Sequence, residues 1–182
     1  MTTTRALAAL LCLSPFAGRT WNAAAQEEGI VSFTARLSHD GVRAGGRMGA
    51  ALVVTVRKGW HINSASPYDD NLIATAAAFV SPPGLAVTDT LYPAGVMRKF
   101  AFSESPLDVY EGTAVIWLHI SVAPGVATGV YEIPVEVTYQ ACNNDLCLAP
   151  ATAHGVIPVN VVAPDQSPAP VNPELFGGGN TK

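Results

Sequence analysis

The sequence predicts an all-β fold, and three observations carry the prediction. Glycine and proline punctuate the 182 residues throughout, with 16 and 14 copies. Beyond the first 25 residues no apolar period of 3.6 residues is sustained. Short strand-like runs recur instead, at Ile30 to Ser38, Arg47 to Arg57, Ala74 to Val80, Leu85 to Tyr92, Ala114 to Ala123, Val130 to Ala141 and Gly155 to Val162. Such a series of short strands separated by turn formers is the pattern of a β-sandwich.

Ahead of the strands, residues 1–25 read as a secretory signal peptide. Arg5 stands near the start, an apolar stretch runs from Ala6 to Ala17, and Ala23-Ala24-Ala25 forms a small-residue cleavage signal. The apolar core is about 12 residues, short of the roughly 20 that span a bilayer. Cys12 follows Leu10-Leu11, without the small residue that precedes a lipoprotein cysteine, so no lipid anchor is expected. Glycine, proline or charge interrupts every later apolar segment, Ala114 to Val122 included, so the expected product is exported, soluble and monomeric, with no membrane span. Cleavage removes Arg5 and Arg19 and no acidic residue, taking the formal charge from -4 to -6. A chain so short of basic residues is a poor fit to nucleic acid.

The remaining residues divide into one domain, 26–163, and a tail, 164–182. In the first strand Val31, Phe33, Ala35 and Leu37 fall on one face. Asp69-Asp70 reads as a solvated turn. In the fifth strand Ala114, Ile116, Leu118 and Ile120 form the inward face, leaving Trp117 and His119 together on the other. The sixth carries Ile133, Val135, Val137 and Tyr139 inward. Pro134 and Pro158 lack a ladder donor, which predicts sheet edges or bulges at those points. From Pro164 onward Pro168, Pro170, Pro173 and Gly177-Gly178-Gly179 predict a disordered tail.

Chemistry is expected at Tyr139 to Pro150, which holds Cys142 and Cys147, the two cysteines outside the leader. Five extended residues would separate them by roughly 17 Å, whereas a disulfide needs Cα atoms about 4.4 to 6.8 Å apart. Asn143-Asn144-Asp145 supply turn formers between two strand-like flanks, so the chain is expected to double back and permit the bond. Two cysteines in an exported chain most often pair. Three readings stay open from the residues: a redox-active disulfide, a structural staple in a binding or scaffold module, and a zinc site drawing on His39, His61, His119 or His154. No organic cofactor or metal is expected. His61 reads as a surface or internally satisfied histidine, or as a hydrogen-bonding neighbour of the cysteines. Hydrolase chemistry lacks a nucleophile motif.

Together with Gly59-Trp60-His61-Ile62-Asn63, Tyr92-Pro93 and Asp108-Val109-Tyr110-Glu111-Gly112, the cysteine segment resembles the N-terminal periplasmic domain of the thiol:disulfide interchange protein DsbD, over residues 30 to 162. The resemblance implies an immunoglobulin-like sandwich with its redox pair at one end, acting as a thiol:disulfide oxidoreductase that carries electrons. It implies that Cys147 exchanges with partner sulfurs, that Cys142 closes the internal bond, and that Trp60 and Tyr139 wall the site. A cap loop with an aromatic residue is implied at Phe100 to Ser105, with Phe102 the first choice of ring and Phe100 the second. Implied partners are thioredoxin-like periplasmic proteins and a separately encoded transmembrane thiol transporter, since this sequence contains neither a transmembrane nor a thioredoxin-like domain. Four residues separate the cysteines here, where the best-known family member has five. Asp145 and the following Leu148-Ala149-Pro150 offer Cys147 no thiolate stabiliser, so exchange is expected to start from a low-pKa thiolate on the partner.

Overall fold

Alternating apolar side chains build the layers of this molecule. The structure, a computed structural model, describes residues 29–69 and 71–177. The expected signal peptide, Cys12 and Asp70 lie outside the described residues. The strands are β1 (Val31–Leu37), β2 (Val42–Arg43), β3 (Arg47–Val56), β4 (His61–Asn63), β5 (Ala76–Phe79), β6 (Leu85–Leu91), β7 (Val96–Arg98), β8 (Leu107–Tyr110), β9 (Thr113–Val122), β10 (Gly129–Tyr139), β11 (Ala141–Cys142) and β12 (Ala151–Val162), followed by a short helix, α1 (Pro173–Phe176).

Among the described residues these form three four-stranded sheets, in the orders β1-β3-β9-β6, β2-β12-β10-β5 and β11-β4-β8-β7. The first two make the sandwich. Ala114, Ile116, Leu118, Ile120 and Val122 of β9 pack with Met48, Ala50, Leu52 and Val54 of β3, and with Ile133, Val135 and Val137 of β10 and Ile157, Val159 and Val161 of β12. The intervening residues face outward, as period-2 alternation requires. Phe33 on β1 reaches across to β12 at Gly155, where a Cβ would stand 2.8 Å from its ring. Gly112, with φ of 63°, makes the tight link from β8 to β9 that a residue with a side chain would resist.

All seven strand-like runs of the sequence are strands, and the all-β, immunoglobulin-like sandwich holds. The differences are instructive. The run expected as Val130 to Ala141 breaks at Gln140, where β10 leaves its partners and β11 pairs with β4 instead. Pro134 lies within a central strand, but its carbonyl accepts from Val80 N–H at 3.0 Å, so its nitrogen turns away from the β12 ladder. Pro158 lies where β12 is paired on its β10 side alone, because β2 reaches only Val161 and Val162.

The tail is the clearest correction. Residues 164–177, expected to be structureless, run against the sandwich as a strap. Asp40 N–H donates to Ala169 O at 3.0 Å and Val171 N–H to Ser38 O at 2.9 Å. Asn172 Nδ2 donates to Leu37 O at 2.8 Å, and Arg43 Nε to Gln166 O at 2.7 Å. Phe176 meets Trp117 edge-on with ring centroids 5.3 Å apart, and Gly49 below leaves room for it. Composition predicted disorder because it counts apolar content, whereas one aromatic contact and paired backbone groups offset the ordering cost here. Phe176→Ala is expected to lower stability to urea by about 1–2 kcal/mol, less than the 3–5 kcal/mol of a core phenylalanine. An unchanged midpoint would show that the strap contributes nothing.

Candidate functional site

The third sheet is small because its strands are short, and its two faces have different neighbours. Cys142 lies opposite His61 and Ala141 opposite Ile62, while Ile62 lies opposite Tyr110 and Asn63 opposite Val109. Ala141, Ile62 and Tyr110 belong to the sandwich core. Alternation therefore turns Cys142, His61, Asn63 and Val109 to the other face. There Phe100, Leu107 and Val109 form a second apolar cluster with Leu72 against it.

Cys142 and Cys147 are joined in a disulfide with Cα atoms 4.0 Å apart. The turn is held by Asn143, whose Oδ1 accepts from Asp145 N–H at 2.8 Å and Leu146 N–H at 2.9 Å. Leu148 N–H donates to Ala141 O at 2.9 Å, closing the hairpin below the bond. The two cysteines differ sharply in surroundings. Cys142 is 1% exposed, whereas Cys147 stands at the surface between the exposed Leu146 and Leu148.

Between β7 and β8 the loop from Lys99 closes over this face. Lys99 Nζ ties it by donating to Ser103 O at 2.8 Å and to Glu104 O. Phe100 is 8% exposed and stacks on the His61 ring, centroids 3.9 Å apart and planes 14° from parallel. Phe102, 42% exposed, stacks on Phe100 at 5.4 Å and lies 6.5 Å from His61. The inner ring is thus Phe100, the second choice from sequence, and Phe102 forms the outer layer. Trp60 packs against the sandwich core and Tyr139 within it, where burial raises the Tyr139 phenol above its ordinary pKa.

The motifs quoted around the cysteines converge on the same small sheet. Tyr110 Oη donates to Pro93 O at 2.9 Å and accepts from Ala65 N–H at 3.1 Å. Asp108 Oδ2 accepts from Ser64 Oγ at 3.0 Å. Asn63 Nδ2 donates to Ile73 O at 2.9 Å, while its Oδ1 is buried without a partner. His61 corrects the reading of a surface or satisfied histidine, because it is 3% exposed and its Nε2 is buried with no hydrogen bond. Leaving such a group unpaired costs about 1–3 kcal/mol. A three-residue strand is too short for sequence periodicity to have marked it.

Burial lowers the His61 pKa, and the charge of Glu111 opposes that with the smaller effect. As pH falls through about 6.5 the unfolded chain takes up a proton at this position more readily than the folded protein does, so stability falls with pH. His61→Phe is expected to flatten the slope of unfolding free energy between about pH 7 and 5; parallel slopes would remove burial of this ring as the cause. After reduction, alkylation should modify Cys147 about tenfold or more faster than Cys142, because only the former is accessible. Peptide mapping at short times reads this, and equal labelling would contradict the asymmetry.

Residues 34–155 match the family model described as thiol:disulfide interchange protein DsbD, N-terminal. Among solved structures, the chain is similar to the N-terminal periplasmic domain of ScsB from Proteus mirabilis, with a TM-score of 0.53 at 13% identity, covering 84% of this chain and 53% of that one. It is also matched to the reduced DsbD N-terminal domain of Neisseria meningitidis at 15% identity and a TM-score of 0.42, covering 76% of this chain and 89% of that one. The comparison with curated proteins finds no match. With the family model spanning most of the sandwich and the cysteine hairpin within that span, the chain belongs to the DsbD N-terminal domain family of thiol:disulfide interchange proteins.

Proposed function

We propose that this domain relays electrons between thioredoxin-like periplasmic partners through the Cys142–Cys147 disulfide, with Cys147 as the sulfur that partners attack. The observation that carries the reading is the asymmetry of the bond, one sulfur-bearing residue at the surface and the other in the interior. A partner thiolate attacks Cys147 Sγ along the extension of the S–S bond. That forms a mixed disulfide and leaves the electron pair on Cys142 Sγ. A second partner thiol then attacks its own sulfur in the mixed disulfide and releases reduced Cys147. The partner dithiol is thereby oxidised by two electrons and the domain reduced; the reverse order passes electrons onward.

Leu146 and Leu148 flank this position as exposed apolar side chains, and Phe102 of the cap loop is exposed as well, a set suited to an apolar partner surface next to its own cysteine. The formal charge within the disulfide loop is that of Asp145, which disfavours a thiolate on Cys147. Exchange therefore begins with a partner whose thiol has the lower pKa. A transmembrane thiol transporter is the proposed electron source. The family and the leader expected from sequence support a periplasmic location, and among the described residues no helix is long and apolar enough to cross a membrane.

The competing role is a staple in a scaffold domain, and the reduction potential separates the two. Exchange activity requires a potential above about -300 mV, the level below which structural bridges resist reduction. A Cys142→Ala variant should accumulate mixed disulfides with a CxxC partner, and Cys147→Ala should not. A lower potential together with no adduct from either variant would leave the staple.

A further inference from the structure

Opening the disulfide creates a problem that the sandwich alone does not solve. When a partner sulfur takes Cys147, the displaced electron pair rests on Cys142 Sγ, and that residue is 1% exposed. A thiolate there has little water to solvate it, a condition that disfavours the charged form. The same sheet face holds a polar atom with the complementary defect. His61 is 3% exposed, its Nε2 is buried without a hydrogen bond, and His61 is the register partner of Cys142 across the β4–β11 ladder. Directly opposed residues on one face hold their Cβ atoms about 4.5–5.5 Å apart, within reach of an imidazole and a sulfur.

We propose that His61 stabilises the opened state of the disulfide, its Nε2–H donating a hydrogen bond to the Cys142 thiolate that leaves when Cys147 is attacked. This deepens the proposed relay and rests on it for its biological use. Three observations besides the register support it. Phe100 stacks flat on the imidazole and so fixes the ring plane while the bond opens. Burial lowers the imidazole pKa and favours its neutral form, in which one ring nitrogen carries a hydrogen. Glu111, the charged group that acts on His61, is engaged with Arg98 at 2.9 Å. Asn63 on the same face leaves its buried Oδ1 unpaired, but that atom is an acceptor and serves no thiolate. The electrons balance: the Cys142–Cys147 bond breaks, the partner–Cys147 bond forms, and the pair left on Cys142 is held by the imidazole N–H until Cys142 attacks the mixed disulfide or takes a proton.

The test uses Cys147→Ser, which leaves Cys142 as the thiol of the disulfide pair, and titrates that thiol by its ultraviolet absorbance. Adding His61→Phe, which keeps a flat ring against Phe100 and deletes the donor, should raise the Cys142 pKa by about one unit or more. His61→Gln retains an N–H donor and should fall between the two. In the unsubstituted protein the His61 ring nitrogen resonances should move on reduction, a measurement that depends on no variant's folding. A Cys142 pKa unchanged by His61→Phe, a rise in His61→Gln as large as in His61→Phe, or His61 resonances indifferent to reduction would each overturn the proposal. None of these readouts involves a partner protein, so their failure leaves the relay standing, and failure of the relay leaves them intact.

Discussion

The short ladder between β11 and β4 is the constraint on which the rest of the site depends. It is only two residue pairs long, Ala141 with Ile62 and Cys142 with His61. Its parity sends Ala141 and Ile62 into the sandwich and Cys142 and His61 out under the cap loop. A slip of one residue would reverse every assignment, because the side-chain period of a strand is two. The register is held by Ile62, buried without exposure among core residues, and by its pairing with Tyr110 on the other side.

From that ladder the asymmetry of the disulfide follows. Cys142 is still within sheet structure, while Cys147 has crossed the Asn143 turn and reached the surface. Closing so small a ring stabilises the fold by about 2 kcal/mol in the chain-entropy picture. That is modest beside a core drawn from two four-stranded sheets, so the bond supplies only a small part of the stability of the sandwich. Phe100 and Phe102 then form a layered aromatic cover over His61, with the inner ring buried and the outer one half in solvent.

Much of this was legible from sequence, and the limits have physical causes. Long strands such as β9 and β10 announced themselves because ten or eleven residues of alternation are hard to mistake. The cysteine hairpin was legible because Asn143-Asn144-Asp145 are turn formers and because two cysteines tend to pair where a leader is expected from the sequence. The third sheet was not, since β4, β7, β8 and β11 span only two to four residues each. Their pairing is tertiary, so the sequence offered His61 as one possible neighbour of the cysteines but could not fix it as the register partner of Cys142. Resemblance put Phe102 ahead of Phe100 as the cap ring, whereas burial sets Phe100 inside and Phe102 outside. The strap at 164–177 escaped for the opposite reason, a proline-rich composition concealing one well-placed ring, Phe176.

The central claim is that the bond opens from the Cys147 side while the sandwich stays folded. Incubating the oxidised protein with a small monothiol such as glutathione, quenching with acid and mapping the adduct by mass spectrometry tests this directly. The account predicts a mixed disulfide at Cys147 under native conditions. An adduct at Cys142, or reaction only once denaturant has unfolded the domain, would contradict it.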